Sequence, residues 1–220
     1  MAPVTRGDTV GIFYTGGTTG TPKGVQLAHG NLLSNGENIA PRFGYRPDDI
    51  YLHAGPMFHL ADLGATMGQL KIGGAHAFMA AFSPTGFART IAATGATVST
   101  LAPTMINMIL NDPEVDPADM STLRLVLYGG GPIGEAVLAR ALDRLGCDWI
   151  QGYGQTEATH TVCYLGPEEH RQMATAPHRL RSCGKPIDGV DLQIGDDEGR
   201  PLPVDEVGEV QVKGGTVMRG

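Results

Sequence analysis

From residue 50 to residue 151 the chain alternates two kinds of segment. Short apolar runs at 50–54, 75–80, 97–101, 123–128 and 148–151 have the length and β-branched content of buried strands. Between them, residues 61–70, 84–94, 103–111 and 133–145 carry helical spacing. Strands that alternate with helices through short loops restrict the fold to an α/β layer, a largely parallel sheet flanked by helices.

Local signals sharpen several boundaries. Ser83 followed by Pro84 reads as an N-cap and first helical position, and Gly95 as the stop. Pro103 opens a helix ending near Asn111. In 133–145, Val137, Leu138, Ala141, Leu142 and Leu145 share one face. Nearer the start, 10–14 and 25–28 read as strands, 29–40 as a helix despite Gly30 and Gly36, and Pro47-Asp48-Asp49 as a turn. After about Cys183 the pattern changes to short strands, 190–194 and 209–213, separated by Gly, Pro and Asp turns. Residues 1–182 are therefore expected to form an α/β unit, and 183–220 the start of a β-rich subdomain.

Composition removes several function classes. The chain of 220 residues is 41% hydrophobic and 18% charged, too apolar for a disordered segment. Its net charge is −7, concentrated between Asp191 and Glu209, where seven acidic residues face one basic residue, Arg200. No Lys/Arg cluster exists that could track a phosphate backbone, so nucleic acid is not an expected partner. Cys147, Cys163 and Cys183 lack zinc-site spacing and fit reduced thiols in a cytoplasmic protein. Residues 90–111 carry no charge over 22 positions, but five Thr, Ser99, two Asn, Gly95 and Pro103 make them helix end, strand, turn and helix rather than a transmembrane segment.

Two motifs could carry chemistry. The first is Thr15-Gly16-Gly17-Thr18-Thr19-Gly20-Thr21-Pro22-Lys23-Gly24. Successive glycines let several N–H groups turn toward one anion, the Thr hydroxyls add donors, and Lys23 supplies a mobile charge. Its spacing is not that of a Walker A loop. The second is Gln151-Gly152-Tyr153-Gly154-Gln155-Thr156-Glu157, expected just past a strand end, where α/β sheets bind ligands. Tyr153 can offer a ring face, Thr156 a donor to phosphate, and Glu157 a ligand to a divalent cation.

With these two motifs in this order, the chain resembles the ATP-dependent adenylate-forming superfamily of acyl-CoA synthetases, luciferases and peptide-synthetase adenylation domains. Pro56-Met57-Phe58-His59 is similar to that superfamily's Pro-x-x-His element, Gly129–Pro132 to its Gly-rich turn, and Gly208-Glu209-Val210 to its Gly-Glu β-segment. The resemblance implies that Thr15, Gly16, Gly17, Thr18, Thr19 and Lys23 handle the β- and γ-phosphates of ATP. It implies Gln151, Gly152 and Tyr153 beside adenine, Thr156 near the α-phosphate, Glu157 on Mg²⁺, and His59, Gly130 and Gly131 beside the carboxylate substrate. Lys23, Thr156 and Glu157 would be the catalytic set. The implied reaction joins a fatty or aryl acid to AMP with release of pyrophosphate, then to CoA.

Gly16 stands where the superfamily commonly has Ser. The superfamily's ribose-binding Asp and its catalytic Lys have no match here, so the resemblance implies part of a longer enzyme, with weak ATP binding and no efficient adenylation by these residues alone. A non-catalytic nucleotide-binding module and an adenylation domain for an amino acid remain open, as does a homo-oligomer. His53, His76 and His160 read as packed or surface histidines, Met105 and Met108 as core filler, and the Gly, Ala and Met residues around 54–68 as an apolar acyl lining.

Overall fold

The structure, a computed structural model, describes residues 3–16, 20–172, 175 and 177–220. The chain opens with β1 (Thr9–Thr15) and β2 (Lys23–Ala28), followed by α1 (His29–Arg42), β3 (Ile50–His53), α2 (Leu60–Ile72) and β4 (Ala75–Phe78). Next come α3 (Pro84–Thr94), β5 (Val98–Leu101), α4 (Pro103–Asn111), β6 (Leu125–Gly129), α5 (Glu135–Leu145) and β7 (Asp148–Tyr153). The last elements are β8 (Cys163–Leu165), α6 (Pro167–Arg171), β9 (Lys185–Pro186), β10 (Val190–Gly195) and β11 (Glu209–Gly214).

Seven strands form the central sheet in the order β4-β3-β5-β6-β7-β8-β9. The first five are parallel, and β8 and β9 add antiparallel strands at one edge. The largely parallel sheet expected from the sequence is therefore present. Its inner strands β3, β5 and β6 are buried on both sides, as a doubly covered sheet requires. Val126 and Tyr128 of β6 join Trp149 in a cluster with Phe87, Ile91, Ile106, Ile109 and Leu138 of α3, α4 and α5. The alternate residues Leu125 and Leu127 face the other way, with Ile150, toward Ile39 of α1 and Ala65 of α2. Tyr128 meets Trp149 edge to face at 5.9 Å between ring centroids.

The capping signals hold in detail. Ser83 accepts a hydrogen bond from the Gly86 N–H at 3.1 Å, Pro84 starts α3, and Gly95 ends it at φ 68°. The uncharged stretch divides into the end of α3, β5 and α4, and no helix among the described residues is long and apolar enough to cross a membrane. Gly36 sits inside α1 because a side chain there would collide with the Met67 carbonyl of α2; the two helices touch backbone to backbone.

Three features go beyond what the sequence placed. Strands β1 and β2 do not enter the parallel sheet but pair with each other as an antiparallel hairpin, with Thr15 opposite Lys23. Strand β7 runs on through Gly152 and Tyr153, because β8 pairs with that end and extends it. The short β8, α6 and β9 carried no sequence expectation. β10 and β11 form their own two-stranded sheet, and Asp196 turns the chain after β10 by accepting from the N–H groups of Glu198 and Arg200. All three cysteines are free.

Candidate active site

Strand order places the site. The chain leaves β3 outward to β4 and then returns to the other side of β3 with β5, so the loops after β3 and β5 diverge. Such a divergence opens a crevice at the carboxyl ends of parallel strands. A cleft of about 640 Å³ lies there. It is lined by Gly55, Pro56 and His59 after β3, Ala102–Met105 after β5, Gly129–Pro132 after β6, and Gly152, Gly154, Gln155 and Thr156 at and beyond the end of β7. Four segments far apart in sequence converge because each follows one of four strands of the same sheet.

The second motif is fixed by backbone packing. Gly129 stands opposite Gly152 in the β6–β7 ladder, and a Cβ on Gly129 would collide with the Gly152 carbonyl. A Cβ on Gly154 would fall on the His160 carbonyl oxygen. Gly154→Ala is therefore expected to push the motif off its present path and to lower turnover by about 10²-fold, the scale of an ångström-sized misplacement. Steady-state turnover of the variant with a well-used acid checks this; a wild-type rate contradicts it. Gly130 adopts φ 74° and, like Gly131, has open space where a side chain would stand, so backbone borders the cleft there.

Gln151 carries a buried Oε1 with no donor partner among the described residues, next to the cleft on β7. Tyr153 is 40% exposed, an accessible ring between two glycines. Thr156 and Glu157 stand in a one-turn 3₁₀ segment, Thr156–Ala158. Glu157 is the lone carboxylate of that segment, and the described residues contain no group of three His, Cys, Asp or Glu able to hold a metal by themselves. A Mg²⁺ ion with one protein carboxylate takes its remaining ligands from phosphates and water, which fits such a sparse set.

The hairpin and the motif are tied together by the chain's last residues. Gln26 of β2 accepts from the Arg219 N–H at 3.1 Å and donates its own N–H to Gly220 at 2.9 Å. Met218 donates to the Glu157 carbonyl at 2.7 Å, and the Thr159 hydroxyl to the Thr216 carbonyl at 2.5 Å. The Asn31 amide clamps the same segment through the carbonyls of Gly215 and Val217, at 2.9 and 2.8 Å. Thr159 holds φ 69°, a backbone state that a β-branched residue adopts only when its surroundings impose it.

Of the residues expected from sequence, His59, Gly130, Gly131, Gly152 and Thr156 line one cleft. Gln151, Tyr153 and Glu157 adjoin it without lining it. Thr15, Gly16 and Lys23 stand on the hairpin and likewise do not line it, and Lys23 is exposed. Gly17, Thr18 and Thr19 lie outside the described residues. His59 is the exposed N-cap of α2, with the Phe58 ring 4.5 Å away.

The sequence reading passed over other lining residues. Asp62 brings a carboxylate into a wall read as apolar; it lies three residues after His59, on the same face of α2. Asp62 Oδ2 meets His53 Nδ1 at 2.6 Å, and Oδ1 accepts from the Tyr51 hydroxyl at 3.1 Å. The Tyr51 oxygen, its one proton on Asp62, accepts in turn from the Thr100 hydroxyl at 2.8 Å. His53 is indeed a packed histidine, bonded through Nε2 to His76 at 2.9 Å. His160 instead lines the cleft, and burial holds its imidazole neutral by pushing its pKa down to about 4 against the pull of Asp62. Met105 packs on the core and lines the cleft, whereas Met108 is exposed, because Ile106, Ile109 and Leu110 take the buried face of α4.

The fold and cleft match known proteins. The family of AMP-binding enzymes matches residues 1–220, and the chain belongs to it. The feruloyl-CoA synthase of an Amycolatopsis species is 36% identical over 219 residues, covering 99% of this chain and 43% of that protein. The medium/long-chain-fatty-acid–CoA ligase FadD8 of Mycobacterium tuberculosis is 32% identical over 211 residues, covering 96% of this chain and 36% of its own length. Among solved structures, the o-succinylbenzoate CoA synthetase MenE of Bacillus subtilis, in complex with ATP and magnesium ion, superposes with a TM-score of 0.86. It is 30% identical, with 99% of this chain and 43% of that chain covered. The chain thus spans less than half the length of the relatives it matches.

Proposed function

We propose that the cleft activates a carboxylic acid with ATP: a carboxylate oxygen attacks the α-phosphorus, the bond to the β-phosphate oxygen breaks, and pyrophosphate leaves. The CoA thiolate then attacks the acyl carbonyl of the acyl-AMP and AMP leaves. The carrying observation is the convergence of His59, the Gly129–Pro132 turn and the Gly152–Thr156 segment on one cleft with an apolar wall. Names of the relatives, which are CoA synthases and ligases, support the same chemistry.

In this reading Gln151 Oε1, buried without a donor among the described residues, accepts from the adenine amine, and Tyr153 lies against the base. Thr156 donates to the α-phosphate, while Thr15, Gly16 and Lys23, with Gly17, Thr18 and Thr19, hold the departing β- and γ-phosphates. His59, Gly130 and Gly131 border the acid. Glu157 holds Mg²⁺, which supplies charge neutralisation at the phosphates when bound. ATP and the attacking carboxylate are both anionic, so fixed donors and a lysine are the groups such a reaction needs. No general base is required, since a carboxylate is already ionised at neutral pH.

Carboxylate-dependent exchange of labelled pyrophosphate into ATP, run with the natural full-length protein across fatty, aryl and amino acids, tests this. Exchange that depends on added acid is the expected result. ATP binding without exchange for any acid, or release of ADP instead of AMP, overturns it.

A further inference from the structure

The acyl end of the cleft is apolar along Phe43, Leu101, Ala102, Met105 and Leu127, yet two polar side chains, those of Asp62 and His160, are built into it. Asp62 is held rigidly: it is 3% exposed, with Oδ2 on His53 and Oδ1 on the Tyr51 hydroxyl. An ionised carboxylate accepts at about four lone-pair positions, so two partners leave it able to take another. The His160 ring has a seat made for it. It packs against Gly64 of α2, where any side chain would overlap the imidazole. Its one hydrogen-bond partner among the described residues is the neighbouring Thr161 hydroxyl, 3.0 Å from Nδ1 and 3.5 Å from Nε2. A neutral imidazole pairs one nitrogen as acceptor and the other as donor; the shorter contact puts Nδ1 on the Thr161 hydroxyl, and Nε2, whose contact to the same oxygen is at the long limit of a hydrogen bond, is available to a ligand.

We propose that this end of the cleft selects a carboxylic acid that carries a hydroxyl group on its acyl portion, recognised by the His160 imidazole and the Asp62 carboxylate. The inference rests on the reading of the cleft as a carboxylate-activating site and names the substrate class. A hydroxyl both donates and accepts, so one group satisfies Asp62 as acceptor and His160 as donor. An acid without it leaves His160 Nε2 facing apolar surface and a further acceptor position of Asp62 unused, the kind of mismatch by which sites that bond a substrate hydroxyl reject its deoxy analogue. A second carboxylate at the same place meets the Asp62 charge and is disfavoured. The hydroxyl is the shared chemistry of two sources, a phenolic ring and a hydroxylated alkyl chain.

Matched pairs separate them: 4-hydroxycinnamate against cinnamate, and 16-hydroxyhexadecanoate against hexadecanoate, each in pyrophosphate exchange with the full-length protein. The expected result is a preference of at least about 10-fold in kcat/KM for the hydroxylated member of one pair, with the pair that shows it naming the source. His160→Leu should bring that ratio close to one, and His160→Gln, which keeps a donor and an acceptor, should restore part of it. Equal use of both members of each pair overturns the proposal while leaving acid activation intact, as does better use of 4-aminocinnamate than of 4-hydroxycinnamate. A preference unchanged in a folded His160→Leu variant overturns the role of His160. Absence of exchange with every acid overturns the activation reading itself, and this inference with it.

Discussion

Arg124→Ala should cost about 3–5 kcal/mol of folding stability, roughly a fifth or more of what a domain of this kind has. Asp49 ends the turn before β3 and is 2% exposed. Its Oδ1 accepts from Arg124 Nε at 2.6 Å and from the Thr97 hydroxyl at 2.8 Å, and its Oδ2 from Arg124 Nη2 and from the Arg46 N–H at 2.7 Å. The pair ties the turn before β3 to the starts of β5 and β6. Burial alone would raise the Asp49 pKa, but the Arg124 guanidinium, the Arg46 N–H and the Thr97 hydroxyl outweigh it and hold the carboxyl below its usual range. A depressed folded-state pKa stabilises above the unfolded value and loses that contribution as pH falls through the folded one. The wild type should therefore lose this part of its stability only in acid, below the ordinary carboxylate range. In Arg124→Ala the loss is already present at neutral pH. Urea unfolding at pH 7 and at decreasing pH reads both effects, and an unfolding midpoint equal to the wild type at pH 7 contradicts the assignment.

Lys23→Ala should lower kcat/KM for ATP by about 10²–10³-fold in pyrophosphate exchange, the range for removing one preorganised group from developing charge. Lys23 is exposed and makes no ion pair among the described residues, so its removal should shift stability by no more than about 0.5 kcal/mol. The two measurements separate a phosphate-binding lysine from a structural one. Lys23→Arg keeps the charge but not the compact ammonium, and should recover only part of the rate. Unchanged exchange in Lys23→Ala means that the hairpin does not handle phosphate.

What the sequence made legible follows from how local each signal is. Helices α3 and α4 begin and end where Ser83-Pro84, Gly95 and Pro103 place them, because a cap or a proline acts within one turn. The parallel strands were visible as short apolar runs, and the inner ones are buried on both faces. Strands β8 and β9, three and two residues long, are too short to show any period, and they exist only because the end of β7 offers an edge. The partner of β1 was equally hidden. Whether a strand joins the main sheet or folds back on its neighbour depends on contacts such as Gln26 with Arg219, almost two hundred positions away.

The candidate site divides the same way. His59, Gly130, Gly131, Gly152 and Thr156 belong to ordered motifs and could be named in advance, whereas Asp62 and His160 have no motif. Asp62 shares a helical face with His59, a spacing visible in the sequence once His59 is given a role. His160 required the packing of its ring on Gly64, a contact between elements nearly a hundred residues apart.

The edge-to-face contact of Tyr128 with Trp149 gives the protein an optical handle of its own. Trp149 is the sole tryptophan of the chain and is fully buried, and the Tyr128 ring against it belongs to the wall of the cleft. Emission from a single indole one ring removed from the binding site responds to what fills that site, so ligand titrations can be followed in unlabelled protein, without dyes, coupling enzymes or turnover.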